Sequence, residues 1–156
     1  AEERGMIRGH QFNKVEMVQY TTEDQSDAAF EELVGKAERL VQELGLHYRL
    51  SKLAAGDCSF SMARTYDIEV WIPSMGIYKE VSSASNARDY QARRGNVKYR
   101  GTDTKLHLAH TLNASGLATS RVIPAIVEQY QNDDGSVTVP EVLRPYLGID
   151  RIEKQR

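Results

Sequence analysis

The chain has 156 residues, enough for one domain that buries a sizeable core without disulfides or metals. Its formal net charge is −2, so no strong overall field favours nucleic acid or a membrane surface, and a basic cluster such as residues 91–100 is more often a solvated face than a ligand site. One cysteine, Cys58, and four histidines without HExxH spacing exclude an intrachain disulfide and predict no zinc. No apolar run reaches a membrane-spanning length and no signal peptide is visible, so we expect a soluble, cytoplasmic protein without membrane contact.

The first elements in chain order are a β segment and a long helix. Residues 6–20 are rich in β-branched and aromatic side chains, which predicts a strand or a strand pair. In one extended strand its even-numbered side chains would project from one face; they include Arg8, Phe12, Lys14 and Glu16. Apolar residues at helical spacing predict the clearest helix over residues 25–44, packed over a sheet. Ser26 or a nearby acidic residue could cap its start, and Gly45 suits its end.

A strand, a loop and a hairpin are predicted next. Residues 46–53 have the composition of a strand and residues 54–63 that of a loop. Residues 65–73 alternate polar and apolar side chains, and residues 77–86 return as a second strand after the turn at 74–76. These two strands therefore predict a hairpin.

The following segments lead into a second helix. Residues 87–95 predict a short helix or turn, and residues 105–113 predict a strand that stops at Asn113. Two small residues and a glycine follow at 114–116, and a helical pattern then extends to about residue 130. Because proline lacks the backbone donor, Pro124 predicts a kink or a late start for this helix.

The C-terminal segment, residues 137–148, is strand-like and follows a turn at residues 132–135. Strands joined by hairpins, with helices between them, predict an α+β fold: an antiparallel sheet with flanking helices. The sequence lacks the alternating βαβ pattern of a doubly wound fold and the glycine-rich phosphate-binding motifs GxGxxG and GxxxxGK[ST].

Polar side chains form three groups along these elements: Arg8, Phe12, Lys14 and Glu16; Glu80, Ser82, Ser83, Ser85 and Asn86; and Asn113, Ser115 and Arg121. Arginine binds phosphate oxygens with two parallel hydrogen bonds, and a phenylalanine face can stack on a base with a guanidinium on its other side. A carboxylate beside a serine hydroxyl suits Mg²⁺. Each residue alone is more often an ordinary surface or turn residue, but together they fit a nucleoside triphosphate, Mg²⁺ and a small amine.

Three longer segments carry a resemblance to a known family. RGMIRGHQFNKVEM (4–17) resembles the second half of motif 2 of class II aminoacyl-tRNA synthetases, in the form typical of seryl-tRNA synthetases. TYDIEVWIPSMGIYKEVSSASNARDYQARR (65–94) resembles their segment between motifs 2 and 3, and HTLNASGLATSRVIPAIVEQYQ (110–131) resembles motif 3. The resemblance covers roughly residues 4–149 and implies the class II synthetase catalytic fold, in part.

The resemblance implies a serine–tRNA ligase that activates serine with ATP to seryl-adenylate and transfers it to the 3′ end of tRNA(Ser). For ATP it implies Arg8 on the terminal phosphates, Phe12 stacked on the adenine, and Arg121 across the adenine near the γ-phosphate. Arg8 and Arg121 are thereby its catalytic residues. Glu80 and Ser83 are similar to the pair that binds Mg²⁺ beside the nucleotide.

The serine pocket implied by the same resemblance consists of Glu16, Asn113 and Ser115, with Lys14 in support. The two polar residues of motif 3 would then line an amino-acid pocket at a strand end. No catalytic histidine is expected, because the carboxylate of serine is already ionised and needs no general base for adenylation. The four histidines are therefore interpreted as structural.

The resemblance further implies that residues 1–156 are the C-terminal part of a class II catalytic domain, from motif 2 through motif 3. The N-terminal tRNA-binding arm, motif 1 at the dimer interface and the first strand of motif 2 have no counterpart in this sequence. We therefore expect the isolated segment to be incomplete as a catalyst and its full-length parent to be a homodimer. The alternative hypothesis is a non-catalytic synthetase-like module that binds an amino acid, a nucleotide or a protein.

Overall fold

The structure is a computed structural model that describes residues 5–154. Its strands, in chain order, are β1 (Lys14–Thr21), β2 (Tyr48–Lys52), β3 (Arg64–Ile72), β4 (Ile77–Asn86), β5 (Lys98–Arg100), β6 (Leu106–Leu108), β7 (His110–Ala118), β8 (Val137–Thr138) and β9 (Arg151–Ile152). Its helices are α1 (Ser26–Glu43), α2 (Tyr90–Gly95), α3 (Thr119–Gln129) and α4 (Arg144–Leu147), with 3₁₀ helices at Gly5–Arg8, Pro73–Met75 and Glu141–Leu143. None of the helices in this range is long and apolar enough to cross a membrane.

An antiparallel five-stranded sheet with the order β1-β7-β4-β3-β2 forms the centre of the described residues. Two small two-stranded sheets, β5-β6 and β8-β9, lie beside it. The predicted α+β architecture of an antiparallel sheet with flanking helices is confirmed. The predicted hairpin is β3 and β4, whose turn ends at Gly76 in the left-handed conformation, with φ of 64°.

Helix α1 packs against one face of the sheet. Its inward stripe is buried and repeats at helical spacing: Ala29, Phe30, Leu33, Val34, Ala37 and Val41. The strand residues beneath it are buried as well: Ile68, Val70, Ala84, Leu112 and Ala114. The predicted helix over residues 25–44 and its end at Gly45, where φ is +65°, are confirmed. The predicted cap by Ser26 or a nearby acidic residue is wrong, because Gln25 holds the cap position without a side-chain cap hydrogen bond, and the Ser26 hydroxyl accepts a hydrogen bond from Asn86 Nδ2 at 2.9 Å.

The other face of the sheet is polar, because successive residues of a strand point to opposite faces. In β7, Leu112 and Ala114 face α1, so Asn113 and Ser115 face away from it. Directly paired residues of antiparallel strands share a face. Three such pairs extend the polar face across the sheet: Glu16 with Ser115, Asn113 with Ser85, and Ser83 with Asp67.

The strand predicted over residues 6–20 is only half present. Residues Gly5–Arg8 form a 3₁₀ helix and β1 begins at Lys14. The last pair of β1 with β7 joins Lys14 to Ala118, and β7 is then followed by α3, so within residues 5–154 no partner strand remains for the segment before Lys14. Ile7 is buried in the core instead.

The limits predicted for the strand over residues 105–113 are also wrong. It is interrupted at Ala109, and β7 continues through the small residues to Ala118, five residues beyond Asn113. Ala114 is paired on both sides, with Met17 of β1 and with Ala84 of β4, and this pairing keeps the segment extended. Helix α3 begins at Thr119, before Pro124, so a late start is wrong, while a kink stays a prediction.

The C-terminal segment predicted as strand-like contains only a two-residue strand, β8. Residues 141–147 form a 3₁₀ helix followed by α4. Proline explains the change: it cannot donate to a sheet ladder, and Pro145 instead occupies the first turn of α4, where no donor is needed.

We predict that Phe30→Ala lowers the free energy of unfolding by about 3–5 kcal/mol, because Phe30 is fully buried between α1 and the sheet. Chemical denaturation of the folded chain measures this difference. Phe60→Ala is the matched control, since Phe60 is 89% exposed and should change the unfolding free energy by less than about 0.5 kcal/mol. Equal losses in the two variants would contradict the packing of α1 described above.

Candidate functional site

A cavity of about 340 Å³ lies where β1 begins and β7 ends. Side chains from the N-terminal 3₁₀ helix, β1, β4, β7 and α3 meet in its wall. Six of the nine predicted site residues line it: Arg8, Phe12, Lys14, Glu80, Ser115 and Arg121. The other three, Glu16, Ser83 and Asn113, lie outside this wall, and their positions are described below. The size and polar lining suit part of a small-molecule ligand.

Phe12 belongs to the cavity and not to the core. It precedes β1, is 48% exposed and faces the cavity together with Arg8 from the 3₁₀ helix. The single extended strand that would align these residues with Lys14 and Glu16 is not formed. The four residues are nevertheless near one end of the sheet, because the chain before Lys14 folds back toward α3.

Arg121 connects three segments of the site. Its guanidinium donates to the backbone carbonyl of Glu80 at 2.8 Å and to that of Ile7 at 3.4 Å. The nearest carboxylate oxygen of Glu80 is 3.6 Å from the same guanidinium. Arg121 therefore fixes the N-terminal 3₁₀ helix, β4 and α3 relative to one another at the cavity.

Glu16 and Ser115 form a polar pair across β1 and β7. The Ser115 hydroxyl donates to Glu16 Oε2 at 3.1 Å, and Lys14 Nζ lies 2.9 Å from the same oxygen. The backbone carbonyl of Ser115 accepts a hydrogen bond of 2.6 Å from the Ser82 hydroxyl, which anchors this part of β7 to β4. Asn113 shares the polar face with them but is inside β7, so the predicted location at a strand end is wrong.

A β-bulge brings Glu80 and Ser83 to the same face. Residues three apart in a regular strand point to opposite faces. The register shifts between Ile68 and Glu69, so that Glu80 is paired with Glu69 while Ser83 is paired with Asp67. Since Asp67 and Glu69 are two apart in β3, Glu80 and Ser83 must share a face as well.

Asp67 lies on the same face, and the sequence interpretation did not single it out. It is paired directly with Ser83, and its Oδ1 is buried with no hydrogen-bond partner among the described residues. Burial raises the pKa of Asp67 above its usual value, the Ser83 hydrogen bond opposes this, and the nearby carboxylates of Glu80 and Glu69 raise the pKa further. The alternation of polar and apolar residues over 65–72 indicates that Asp67 faces away from the core. Only the register of β3 with β4 shows that Asp67 lies opposite Ser83.

The oxygen donors of Glu80 and Ser83 fit Mg²⁺, which binds few protein oxygens and completes its shell with phosphates and water. Asp67 and Glu80 share this part of the face, where Glu69 is already ion-paired to Arg49, and the unpartnered Asp67 Oδ1 marks a local excess of acceptors that suits a cation. Within residues 5–154, no group of three or more His, Cys, Asp or Glu side chains is arranged to hold a metal by itself. A nucleotide would therefore have to supply further ligands.

Comparison with known proteins shows the class of protein that carries this site. Residues 1–130 match the family model of the tRNA synthetase class II core domain (G, H, P, S and T), and the chain belongs to this family.

The relatives within this class are serine–tRNA ligases. Serine–tRNA ligase 2 of Clostridium acetobutylicum is 72% identical over 153 residues, which cover 97% of this chain and 36% of that protein. The crystal structure of seryl-tRNA synthetase from Pyrococcus horikoshii complexed with ATP superposes with a TM-score of 0.95 at 43% identity, covering 100% of this chain and 35% of that one. The cytoplasmic serine–tRNA ligase from Naegleria fowleri in complex with AMP has a TM-score of 0.89 at 39% identity, over 97% of this chain and 36% of that one. The chain thus spans about a third of the length of the curated relatives it matches.

We predict that Arg121→Lys lowers the free energy of unfolding by about 1–3 kcal/mol, because an ammonium cannot reach the carbonyls of Ile7 and Glu80 together. Denaturation of the folded chain measures the loss. Arg94→Lys, at an exposed position of α2, is the matched control and should be nearly neutral. A neutral Arg121→Lys variant would show that the guanidinium does not hold the three segments together.

Proposed function

We propose that the chain is the C-terminal part of the catalytic domain of a serine–tRNA ligase, running from motif 2 through motif 3 over residues 1–156. The whole enzyme activates serine with ATP and transfers it to the 3′ end of tRNA(Ser). One observation carries this proposal: a cavity lined by two arginines and an exposed phenylalanine adjoins the Glu16–Ser115 pair across β1 and β7. The identity to serine–tRNA ligases supports it, as do the ATP and AMP with which the two related synthetases are complexed.

ATP occupies the cavity in this proposal. Arg8 is exposed and can turn its guanidinium toward the terminal phosphates, where two parallel hydrogen bonds hold a phosphate in a fixed orientation. Phe12 offers its exposed ring to the adenine. Arg121 approaches from α3, and its planar group can stack on the other face of the base.

Serine lies on the polar face beside the cavity. Glu16 is the carboxylate for its ammonium group, and Lys14 at 2.9 Å supports Glu16 by holding the shared oxygen in place. Ser115 and Asn113 project from the same face of β7 and provide hydrogen-bonding groups for the remaining polar atoms of serine. A hydroxyl donor and a carboxylate acceptor already hydrogen-bonded to each other need little rearrangement to receive such a ligand.

The reaction is an attack of the serine carboxylate on the α-phosphate of ATP, which forms seryl-adenylate and releases pyrophosphate. The chain contributes position and charge: Arg8 and Arg121 hold the nucleotide, and Glu16 holds the amine so that the carboxylate is directed to the phosphate. Glu80 and Ser83 would hold Mg²⁺, which neutralises phosphate charge when bound.

A non-catalytic binding module is the second candidate, and serine-dependent ATP–pyrophosphate exchange separates the two. Exchange and charging of tRNA(Ser) by the full-length parent support the ligase, whereas ATP binding without either reaction supports the module. Homodimerisation of the parent is a further proposal that rests on the family resemblance, and a cytoplasmic location is retained as a proposal. Sedimentation of the parent at the mass of two chains is the expected result for the dimer.

We predict that Phe12→Ala weakens ATP binding of the full-length parent about tenfold or more, because a base loses a stacking surface worth about 1–3 kcal/mol. The melting temperature should stay close to that of wild type, since Phe12 is exposed. Calorimetric titration with ATP measures the affinity, and Phe60→Ala is the control for loss of an exposed phenylalanine elsewhere. Normal ATP affinity in Phe12→Ala would refute the adenine-stacking role.

We predict that Glu16→Gln raises the KM for serine at least tenfold while the KM for ATP changes little, because the amide removes the charge that faces the ammonium. Steady-state exchange kinetics of the parent measure both constants. Glu43→Gln, a carboxylate at the end of α1 that is ion-paired to Arg39, is the control and should change neither. An increase confined to the KM for ATP would place Glu16 at the nucleotide instead of at serine.

A further inference from the structure

The hydroxyl hydrogen of Ser83 needs an acceptor if Ser83 is to bind a metal ion. A serine oxygen binds a cation through a lone pair, so its hydrogen has to point away from the ion. Ser83 of β4 is paired directly with Asp67 of β3, so the two side chains lie side by side on one face of the sheet, and the Ser83 hydroxyl lowers the pKa of Asp67. An ionised carboxylate is an acceptor only, so Ser83 has to be the donor in a hydrogen bond between the two side chains.

We propose that Asp67 is a positioning residue of the nucleotide site: it holds the Ser83 hydroxyl hydrogen so that the Ser83 lone pairs face the Mg²⁺ that accompanies ATP. The inference rests on the proposed function, which assigns Mg²⁺ to Glu80 and Ser83. Asp67 acts through Ser83, in the way that groups behind a metal ligand orient the ligand and raise its affinity for the ion.

The bond is not needed to hold the two strands together. Strands β3 and β4 are already joined by a continuous register from Arg64 opposite Asn86 to Ile72 opposite Ile77, interrupted only by the bulge. Thr65 and Ser85, the next pair on the same face, are linked by their hydroxyls at 2.8 Å and need no charge to do so. The pairing of β3 with β4 therefore does not explain why position 67 carries a carboxylate.

The position of the Asp67 carboxylate is unfavourable for folding when no cation is bound. Its Oδ1 is buried and has no hydrogen-bond partner in the part of the chain that the structure describes, and the carboxylates of Glu69 and Glu80 lie near it on the same face. Glu69 has its own counter-ion, Arg49, at 2.5 Å, and Arg121 is the cation that stabilises the ionised form of Asp67 from a distance. A bound divalent cation between Glu80 and Ser83 would relieve this accumulation of negative charge.

The test measures metal binding directly in the full-length parent. Mn²⁺, which also prefers oxygen ligands, is the probe, and its affinity in the presence of a non-hydrolysable ATP analogue is followed by electron paramagnetic resonance. Asp67→Ala should weaken Mn²⁺ binding about tenfold or more, as Ser83→Ala should, whereas Asp67→Asn keeps an acceptor oxygen and should lose less. Glu69→Gln is the matched control on the same strand and face, and it should remain close to wild type because Arg49 already compensates Glu69.

The double variant Asp67→Ala, Ser83→Ala decides whether Asp67 acts through Ser83. We expect it to bind Mn²⁺ no more weakly than Ser83→Ala alone, because the hydroxyl that Asp67 orients is already gone. A further tenfold loss in the double variant overturns the proposal, and so does an Asp67→Ala affinity equal to that of wild type or of Glu69→Gln. Melting temperatures identify any variant that fails to fold, and Asp67→Asn then takes the place of Asp67→Ala in the cycle.

The proposed function and the role of Asp67 are tested by two different measurements, so one can be disproved without the other. Absence of serine-dependent ATP–pyrophosphate exchange in the wild-type parent overturns the ligase activity, while the Mn²⁺ measurement still decides the role of Asp67. Persistent exchange with an unchanged Mn²⁺ affinity in Ser83→Ala leaves the ligase in place and overturns the role of both Ser83 and Asp67.

Discussion

The packing of α1 against one face of the central sheet is the constraint on which the site depends. Because Leu112 and Ala114 must lie under α1, Asn113 and Ser115 have to face the other way. Residues of the neighbouring strands that are paired with β7 share its faces. Polar side chains from distant parts of the sequence therefore lie together on the face opposite α1. A one-residue slip of β7 would exchange the two faces and dismantle the core and the site together.

The bulge in β4 interrupts the alternation of side chains between the two faces of the sheet, between Glu80 and Ser83. A regular strand would place Glu80 and Ser83 on opposite faces, and the additional residue between them places both on the polar face. Arg121 then uses the backbone of β4 at Glu80 and that of the 3₁₀ helix at Ile7 to join the N-terminal segment to the sheet. Strand pairing, one irregularity and one guanidinium thus assemble a cavity from segments more than a hundred residues apart in the chain.

The sequence predicted those parts of the structure whose local pattern agrees with the tertiary packing. The long stripe of α1 and the alternation of β3 are of this kind, and so is the grouping of Arg8, Phe12, Lys14, Glu80, Ser115 and Arg121, which the family resemblance indicated. The limits of β1 and β7 were predicted wrongly, because small residues such as Ala114 have no strong local preference and pairing on both sides decides their conformation. Asp67 was missed because its significance comes from the residue opposite to it, which only the register of β3 with β4 reveals.

A crystal structure of the full-length parent with a non-hydrolysable sulfamoyl analogue of seryl-adenylate would show whether one polar face binds nucleotide and serine side by side. We expect the adenine to stack on Phe12 with Arg121 on its other side, and the seryl ammonium to lie within hydrogen-bonding distance of Glu16. An analogue bound away from this face, or bound with its adenine next to Glu16 and its amine next to Phe12, would disprove this arrangement.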